Sequence, residues 1–530
     1  MVESSHHEHA DKAFFAAPKQ RQFWGDLQIL PHVNWGDLYF DLFYVAAAYN
    51  LASVIKADTT WTGMLYFASL FGPIFYSFWQ FKMTYDSKFE MPNDVLHRVL
   101  EILQLIALST SVLNIRSVDF MSHGADHPES FLYCLGILGG TSLNILLSAE
   151  IRFYWDMNQE AKSSAEFDMK QNLLSLLSSL AATVYSGLLY YTDYGTAGSI
   201  YHGPLLILLV NWLTRPFQLI YLMSSAVSRY DDIKKYSVPM NIDFVIHRYG
   251  EWTMLMLGES ILSLLIVNDI SRKNESSYYL TFYLGIISVT LLQFLYFKSQ
   301  PHDADHHAMR RTRNAGILYS SIIQFYSASL ILVGVSYKML LSEYTSEYDS
   351  YDNDTSYSSQ YGDNSETLRF LGGGASGANK KFTVEERRQR IATLFCCALA
   401  SSFIFLDIMS LAHSGIKITS ARCNCPVKGH FRAVPVLLVV VSRLLLVAFL
   451  YALSQFVIDP EYVVLTGLCT IILQVCLRFM GKHFFPSLAI LEMEKSEFEH
   501  HNEIEEEKWP NVTEPRSIPQ VDAPEAQVEA

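Results

Sequence analysis

Long apolar runs constrain this chain of 530 residues more than any other feature. About twelve of them reach the roughly 17–25 residues that an α-helix needs to cross the hydrocarbon core of a bilayer. Apolar residues make up 50 % of the chain and charged residues only 17 %, against about 25 % charged residues in a typical soluble protein. Because backbone groups in lipid must pair within each segment, the runs predict an all-α polytopic transmembrane bundle.

The predicted spans are separated by polar loops whose charge sets the orientation. They are Leu38–Ile55, Trp61–Phe81, Val95–Ile115, Phe131–Ala149, Asn172–Tyr191, Pro204–Ser225, Phe244–Val267, Tyr279–Phe297, Ala315–Ser336, Ile391–His413, Val434–Ile458 and Tyr462–Met480. Lys and Arg concentrate in alternate loops, which predicts that both termini are cytosolic. The sequons at Asn274 and Asn353 then fall outside and are candidates for glycosylation.

The polar segments divide the chain into five regions. Residues 1–33 form a cytosolic polar segment, residues 34–340 hold the first nine spans, and residues 391–481 hold the last three. The segment 341–390 and the cytosolic tail 482–530 are acidic, and the absence of an apolar face predicts disorder. Most of the net charge of −14 belongs to these two segments. It therefore indicates no nucleic-acid partner.

Charged residues inside the predicted spans are the candidates for function, since each costs about 2.5–3.5 kcal/mol on insertion scales. Asp37 and Asp41 lie one helical turn apart in the first span, and Glu251 and Glu259 lie in the seventh. Glu259 is deep in an apolar run and is the most costly of the four. Other such residues are Arg98 and Glu101 in the third span and Arg215 in the sixth.

Two interpretations of these charges remain open. In the functional one, Asp41 and Glu259 line a polar route, bind a cation or carry protons, and they share or border one cavity. In the structural one, they pair with Arg98, Arg215 or Arg443 and lock the bundle. The structural interpretation is favoured for the charges near span ends, where snorkelling reduces the cost of burial. Those residues are Asp37, Arg98, Glu101 and Glu251.

Motifs for metal binding or catalysis are weak. The cluster from His302 to His307 lies in a polar loop, where such runs are usually solvated, and Cys423, Cys425 and His430 have poor zinc spacing. No serine elbow, nucleotide loop or dinucleotide fingerprint occurs. The sequence therefore predicts neither a resident metal nor a cofactor, and it does not predict an enzyme.

Three motifs together resemble one family. The first span reads W-G-D-L-Y-F-D-L-F-Y-V over Trp35–Val45, the seventh reads H-R-Y-G-E-W-T-M-L-M-L-G-E-S over His247–Ser260, and His307–Arg311 reads H-A-M-R-R. This set is similar to the signatures of the bacterial low temperature requirement A (LtrA) family, with Asp37 and His247 standing where the family usually has Glu. The resemblance covers about residues 34–481. It implies a multi-span membrane protein and assigns no molecular activity.

The first and seventh spans both place a carboxylate after an aromatic turn, which suggests two parallel six-span repeats. Many spans, deep carboxylates and helices interrupted at Pro73 and Pro216 favour a transporter or channel for a small solute or ion. The alternative is a non-transporting sensor or scaffold whose acidic tail binds a protein partner. A water-filled cavity reaching Asp41 and Glu259 would favour the first function, and a dry bundle the second.

Overall fold

The computed structural model describes most of the apolar runs and few of the loops between them. The described residues are 15–23, 35–91, 94–115, 129–154, 157–192, 203–229, 238–266, 275–301, 307–311, 313–344, 384–414 and 430–484. The sequons at Asn274 and Asn353 lie outside these ranges, as do residues 302–306 and the tail from residue 485 onward.

The described chain is almost entirely helical. Its α-helices are α1 (Trp35–Ala57), α2 (Trp61–Ile74), α3 (Phe81–Lys88), α4 (Val95–Leu113), α5 (Glu129–Phe153), α6 (Gln159–Thr192), α7 (Gly203–Arg229), α8 (Ile242–Leu265), α9 (Glu275–Ser299), α10 (Ala308–Arg311), α11 (Arg313–Ser342), α12 (Val384–Ser414), α13 (His430–Leu453) and α14 (Pro460–Phe484). A π-helical segment, Phe75–Gln80, joins α2 to α3. It follows Pro73, which cannot donate a backbone hydrogen bond inside α2.

Nine of the described helices are long and apolar enough to cross a membrane, which supports a polytopic helical protein in a bilayer. These candidate spans are Leu38–Ala57, Val95–Leu113, Glu129–Phe153, Gln159–Tyr191, Gly203–Leu222, Glu275–Ser299, Asn314–Ser342, Glu385–His413 and Pro460–Phe479. Helices also lie at the other three predicted positions. The π-helical segment divides one of these helices, α8 carries several charges, and the described apolar part of α13 is short. Twelve spans and the two repeats stay predictions.

The chain divides into two compact units. The larger one consists of Met1–Ser420 and Ser442–Val475, and it contains the buried apolar core and all the sites discussed below. The smaller one consists of Ala421–Val441 and Cys476–Ala530. In the smaller unit, the described residues are the first part of α13 and the last part of α14.

Part of the polar N-terminal segment is structured. Lys19–Gln20 forms a short strand, β1, that pairs antiparallel with β2 (Phe89–Glu90), and Lys19 lies opposite Glu90. Close by, Asp94 caps α4 by accepting hydrogen bonds from the backbone N–H groups of His97 and Ala16. Burial alone would raise the pKa of Asp94, but these donors hold it below its ordinary value.

The acidic segment predicted at 341–390 is helical at both ends. Helix α11 continues to Ser342, and α12 already begins at Val384. Glu343 is buried and forms ion pairs with Arg388 at 2.9 Å and Arg387 at 3.3 Å. Two basic residues near the end of this acidic segment are therefore paired with a buried carboxylate.

Candidate functional site

Helices α1 and α8 form the interface that holds both deep carboxylates. Asp41 on α1 is 2 % exposed and accepts two hydrogen bonds from the guanidinium of Arg248 on α8. The distances are 2.9 Å from Nη1 to Oδ2 and 3.0 Å from Nη2 to Oδ1, the fork geometry that pairs Arg with a carboxylate most strongly. Arg248 is a different residue from the three arginines expected as partners.

Glu251 extends this ion pair toward the surface. Its Oε2 accepts a second hydrogen bond from Nη1 of Arg248 at 2.7 Å, and its side chain is 32 % exposed. Asp37 lies in α1 one turn before Asp41, but its side chain is outside the described part of the chain. Asp41, Arg248 and Glu251 form the first charge cluster, in which each charge has an opposite partner.

Glu259 lies in a second cluster with a different charge balance. Its side chain is 1 % exposed, and its Oε1 accepts a hydrogen bond from Ser263 Oγ at 3.0 Å. The other oxygen, Oε2, is buried and has no hydrogen-bond partner among the described residues. The amines of Lys56 on α1 and Lys338 on α11 interact electrostatically with Glu259 and with each other. One carboxylate therefore faces two half-buried amines.

The ring of Tyr49 lies beside both amines. Nζ of Lys338 is 5.2 Å from the ring centroid and Nζ of Lys56 is 5.7 Å from it. A cation over an aromatic face is stabilised by the ring quadrupole, and more strongly where water is excluded. The ring thus offsets part of the cost of bringing two amines together.

The contacts of Asp41 with Arg248 and of Tyr44 with Trp252 show that α1 and α8 run parallel. The two clusters lie about 16 Å apart along α8, at a rise of 1.5 Å per residue. Both carboxylates face the interior, as expected from the cost of exposing them to lipid. They nevertheless belong to two clusters rather than to one shared site.

An aromatic layer occupies the space between the clusters. The indole of Trp252 contacts the rings of Trp79, Phe75 and Tyr44, with centroids 4.5, 5.0 and 5.1 Å apart, and donates a hydrogen bond to Ser327 at 2.8 Å. All four rings are at most 2 % exposed. The layer therefore separates the two clusters by packed apolar surface.

The close approach of helices beside Glu259 comes from a glycine that sequence reasoning did not select. A Cβ on Gly334 of α11 would lie 3.0 Å from backbone atoms of Ser260, so only glycine fits there without a shift. Gly258, which directly precedes Glu259, has open space around its missing Cβ. Lys338 lies one turn after Gly334, so the same close contact brings its amine toward Glu259.

The remaining sequence candidates occupy separate places. Arg98 and Glu101 pair with each other at 2.7 Å on the surface of α4, where their side chains are 51 % and 27 % exposed. Arg443 pairs with Asp407 at 2.8 Å. Arg215 is buried in α7, and no acidic side chain in the described part of the chain forms an ion pair with it.

The histidine of the H-A-M-R-R turn belongs to a polar network instead of a solvated loop. The rings of His307, His413 and Tyr319 lie within 4.5–4.9 Å of one another. Nδ1 of His413 accepts from the N–H of Ala308 at 3.0 Å, so its Nε2 donates to Gln300 at 3.1 Å. Within the described residues, no group of three or more His, Cys, Asp or Glu side chains is arranged to hold a metal.

The residues that sequence reasoning missed share one signal. Lys56 directly follows the predicted span Leu38–Ile55, and Lys338 lies two residues after the predicted span Ala315–Ser336. In the structure α1 and α11 extend past them, to Ala57 and Ser342. Extending each predicted helix by one turn would have placed both amines within the bundle.

Comparison with known proteins identifies a family that the chain resembles over most of its length. The family model described as bacterial low temperature requirement A protein (LtrA) matches residues 32–477. Neither the curated proteins nor the solved structures contain a significant match to the chain.

Proposed function

The chain belongs to the bacterial low temperature requirement A (LtrA) family, and we propose that it is a transporter or channel for a small solute or ion. The observation that carries this proposal is the buried, unpartnered Oε2 of Glu259 beside two amines. An ionisable group within a membrane bundle is expensive to keep and usually marks an ion or substrate pathway.

The composition of the second cluster suits proton movement. Glu259, Lys56 and Lys338 are three ionisable groups that act on one another electrostatically, one carboxylate against two amines. A cluster that gains or loses a proton changes its charge, and that change can drive a shift between conformations.

The first cluster has a different role in this proposal. Arg248 engages both oxygens of Asp41, which leaves that carboxylate no free edge for a transported cation. Asp41 therefore positions α1 against α8, and Glu259 is the residue that we assign to the pathway.

Reconstitution of the full chain in liposomes tests this assignment. A pH gradient and a potential are imposed, and an internal pH dye and a cation-sensitive dye report flux. We expect flux above that of empty liposomes, and we expect Glu259→Gln to abolish it at unchanged insertion. Glu101→Gln is the matched control, since it neutralises a carboxylate on the surface of α4 and should retain flux. Absence of flux in the wild-type protein, or full flux in Glu259→Gln, contradicts the proposal.

A second candidate function is a non-transporting sensor or scaffold that acts through the acidic tail. The packed aromatic layer between the clusters favours it, because this layer leaves no route along the interface of α1 and α8. Growth of a host that depends on this protein separates the two candidates. Deletion of residues 492–530 would abolish function in a scaffold while Glu259→Gln preserved it, and the reverse is expected for a transporter.

A further inference from the structure

Arg215 is a buried cation with an incomplete set of partners. Its side chain is 2 % exposed near the middle of the candidate span Gly203–Leu222. Nη1 donates to the backbone carbonyl of Gln171 at 2.9 Å, and the guanidinium carbon lies 3.9 Å from the ring centroid of Tyr76. A carbonyl and an aromatic face offset part of the cost of this charge, but neither carries a negative charge.

The unused donors of Arg215 point to a particular class of ligand. Nε and Nη2 are both buried and have no hydrogen-bond partner among the described residues. These two nitrogens form one edge of the planar guanidinium, and two parallel N–H groups on one edge match the two oxygens of a carboxylate or phosphate. Asp41 fills such a fork on Arg248, whereas no described carboxylate fills the fork of Arg215.

A small polar cavity adjoins this position. Tyr76, which stacks on Arg215, lines the cavity together with the polar side chains of Thr141, Ser175, Ser179 and Asn211. The cavity is about the size of one water molecule. Asn211 precedes Arg215 by one helical turn, so the two side chains lie on one face of α7.

Two helices that contain a proline meet at the same place. Pro216 follows Arg215 within α7, and Pro73 of α2 lines the cavity just before the π-helical segment. Trp212 packs directly onto Gly72, where a Cβ would overlap the indole. A proline inside a helix removes one backbone hydrogen bond. Each of these two helices therefore lacks one backbone hydrogen bond near the cavity.

We propose that Arg215 and this cavity form a binding site for a small oxyanion that carries a carboxylate or phosphate group. The fork on Nε and Nη2 holds two of its oxygens, and the water-sized cavity beside it has to widen so that its hydroxyl and amide groups contact the rest of the ligand. The proposal concerns binding and is independent of the transport assigned to Glu259. A lipid headgroup is disfavoured because Arg215 is buried near the middle of its span.

Thermal unfolding of the full chain in uncharged detergent tests the site. Formate, acetate and phosphate are titrated separately, with a bulky sulfonate keeping the ionic strength constant. We expect at least one of them to raise the unfolding temperature saturably by a few degrees, because a ligand that binds only the folded state stabilises it. A parallel arm replaces these anions with phosphatidylglycerol in mixed micelles.

Variants separate binding at Arg215 from general effects of salt. Arg215→Gln should remove the saturable shift, and Arg215→Lys should weaken it at least tenfold because an ammonium group lacks the fork. Asn211→Asp places a carboxylate one turn from Arg215, so it should raise the unfolding temperature without ligand and remove the response. Arg98→Gln is the matched control and should respond like the wild-type protein.

Three results would overturn the proposal. One is the absence of a saturable shift in the wild-type protein for all three anions. Another is an equal shift in Arg215→Gln, which would show that the anions act elsewhere. The third is a response to phosphatidylglycerol alone that depends on Arg215, which would assign the site to a lipid headgroup.

Discussion

Substitution of Asp41 by Asn is expected to destabilise the folded bundle, because it leaves a buried guanidinium without its main partner. The variant keeps the volume of the side chain but removes the charge that Arg248 contacts with two hydrogen bonds. Arg248 is 5 % exposed, so water cannot replace the lost partner. Glu251 retains its single bond to Nη1 and compensates only in part.

The magnitude follows from this geometry. Hydrogen bonds to charged groups contribute about 1.5–3 kcal/mol each, and breaking a buried ion pair typically costs about 3–5 kcal/mol. Because Glu251 remains, we expect Asp41→Asn to lower the free energy of unfolding by about 3 kcal/mol. The pair of Arg98 and Glu101 is half-exposed, and its contribution should be about 0.2–1 kcal/mol.

A double-mutant cycle measures the interaction itself. The set consists of Asp41→Asn, Arg248→Gln and the double variant, each unfolded by denaturant in the same detergent. We expect a coupling energy of about 2–3 kcal/mol, at the upper end of the usual range. The same cycle on Arg98 and Glu101 serves as the control and should give less than about 1 kcal/mol. Additive effects for Asp41 and Arg248, within about 0.5 kcal/mol, would refute the reasoning.

Further predictions concern helix contact, pH and topology. Gly334→Ala should lower the free energy of unfolding by about 1–3 kcal/mol, because the added Cβ meets the backbone of Ser260. Gly258→Ala should be neutral or stabilising, because there is open space around the added Cβ. Thermal unfolding of the two variants measures this difference. Burial lowers the pKa of His307 to about 3. The unfolded chain therefore binds this proton more readily, and stability should fall as pH decreases from about 6.5 toward 3, a loss that His307→Phe should reduce. A reporter fused after Ala530 should be cytosolic, and an extracytosolic signal would show an odd number of spans.

The sequence predicts the bundle well because the physics of insertion is local. An apolar run of about 20 residues forms a helix in lipid whatever lies elsewhere in the chain. The same argument predicts that Asp41 and Glu259 avoid lipid, and both side chains are buried. The change from α-helix to π-helix after Pro73 in the second predicted span is likewise a local effect. It can be predicted from the proline alone.

Partners of the buried charges could not be predicted in this way. Asp41 and Arg248 are more than 200 residues apart, and periodicity within one span contains no information on which helix packs against it. The electrostatic interaction of Glu259 with Lys56 and Lys338 could not be predicted for another reason. Both amines lie just past the ends of the predicted spans. Charge near a helix end can snorkel to water or turn inward, and only the packed neighbours decide between these outcomes.

The two clusters give the two ends of the interface between α1 and α8 different electrostatic properties. Arg248, Trp252 and Glu259 recur at helical spacing on α8, so one face presents an ion pair, an aromatic contact and a carboxylate to neighbouring helices. At the Arg248 end every charge has an opposite partner. Separating α8 from α1 would break the pair of Asp41 and Arg248 and leave charges without that partner in a low-dielectric interior. At the Glu259 end two amines face one carboxylate, and protonation changes the balance of attraction and repulsion. A change of proton occupancy would therefore act on the end of α8 that contains Glu259, while the bidentate pair holds the opposite end in place.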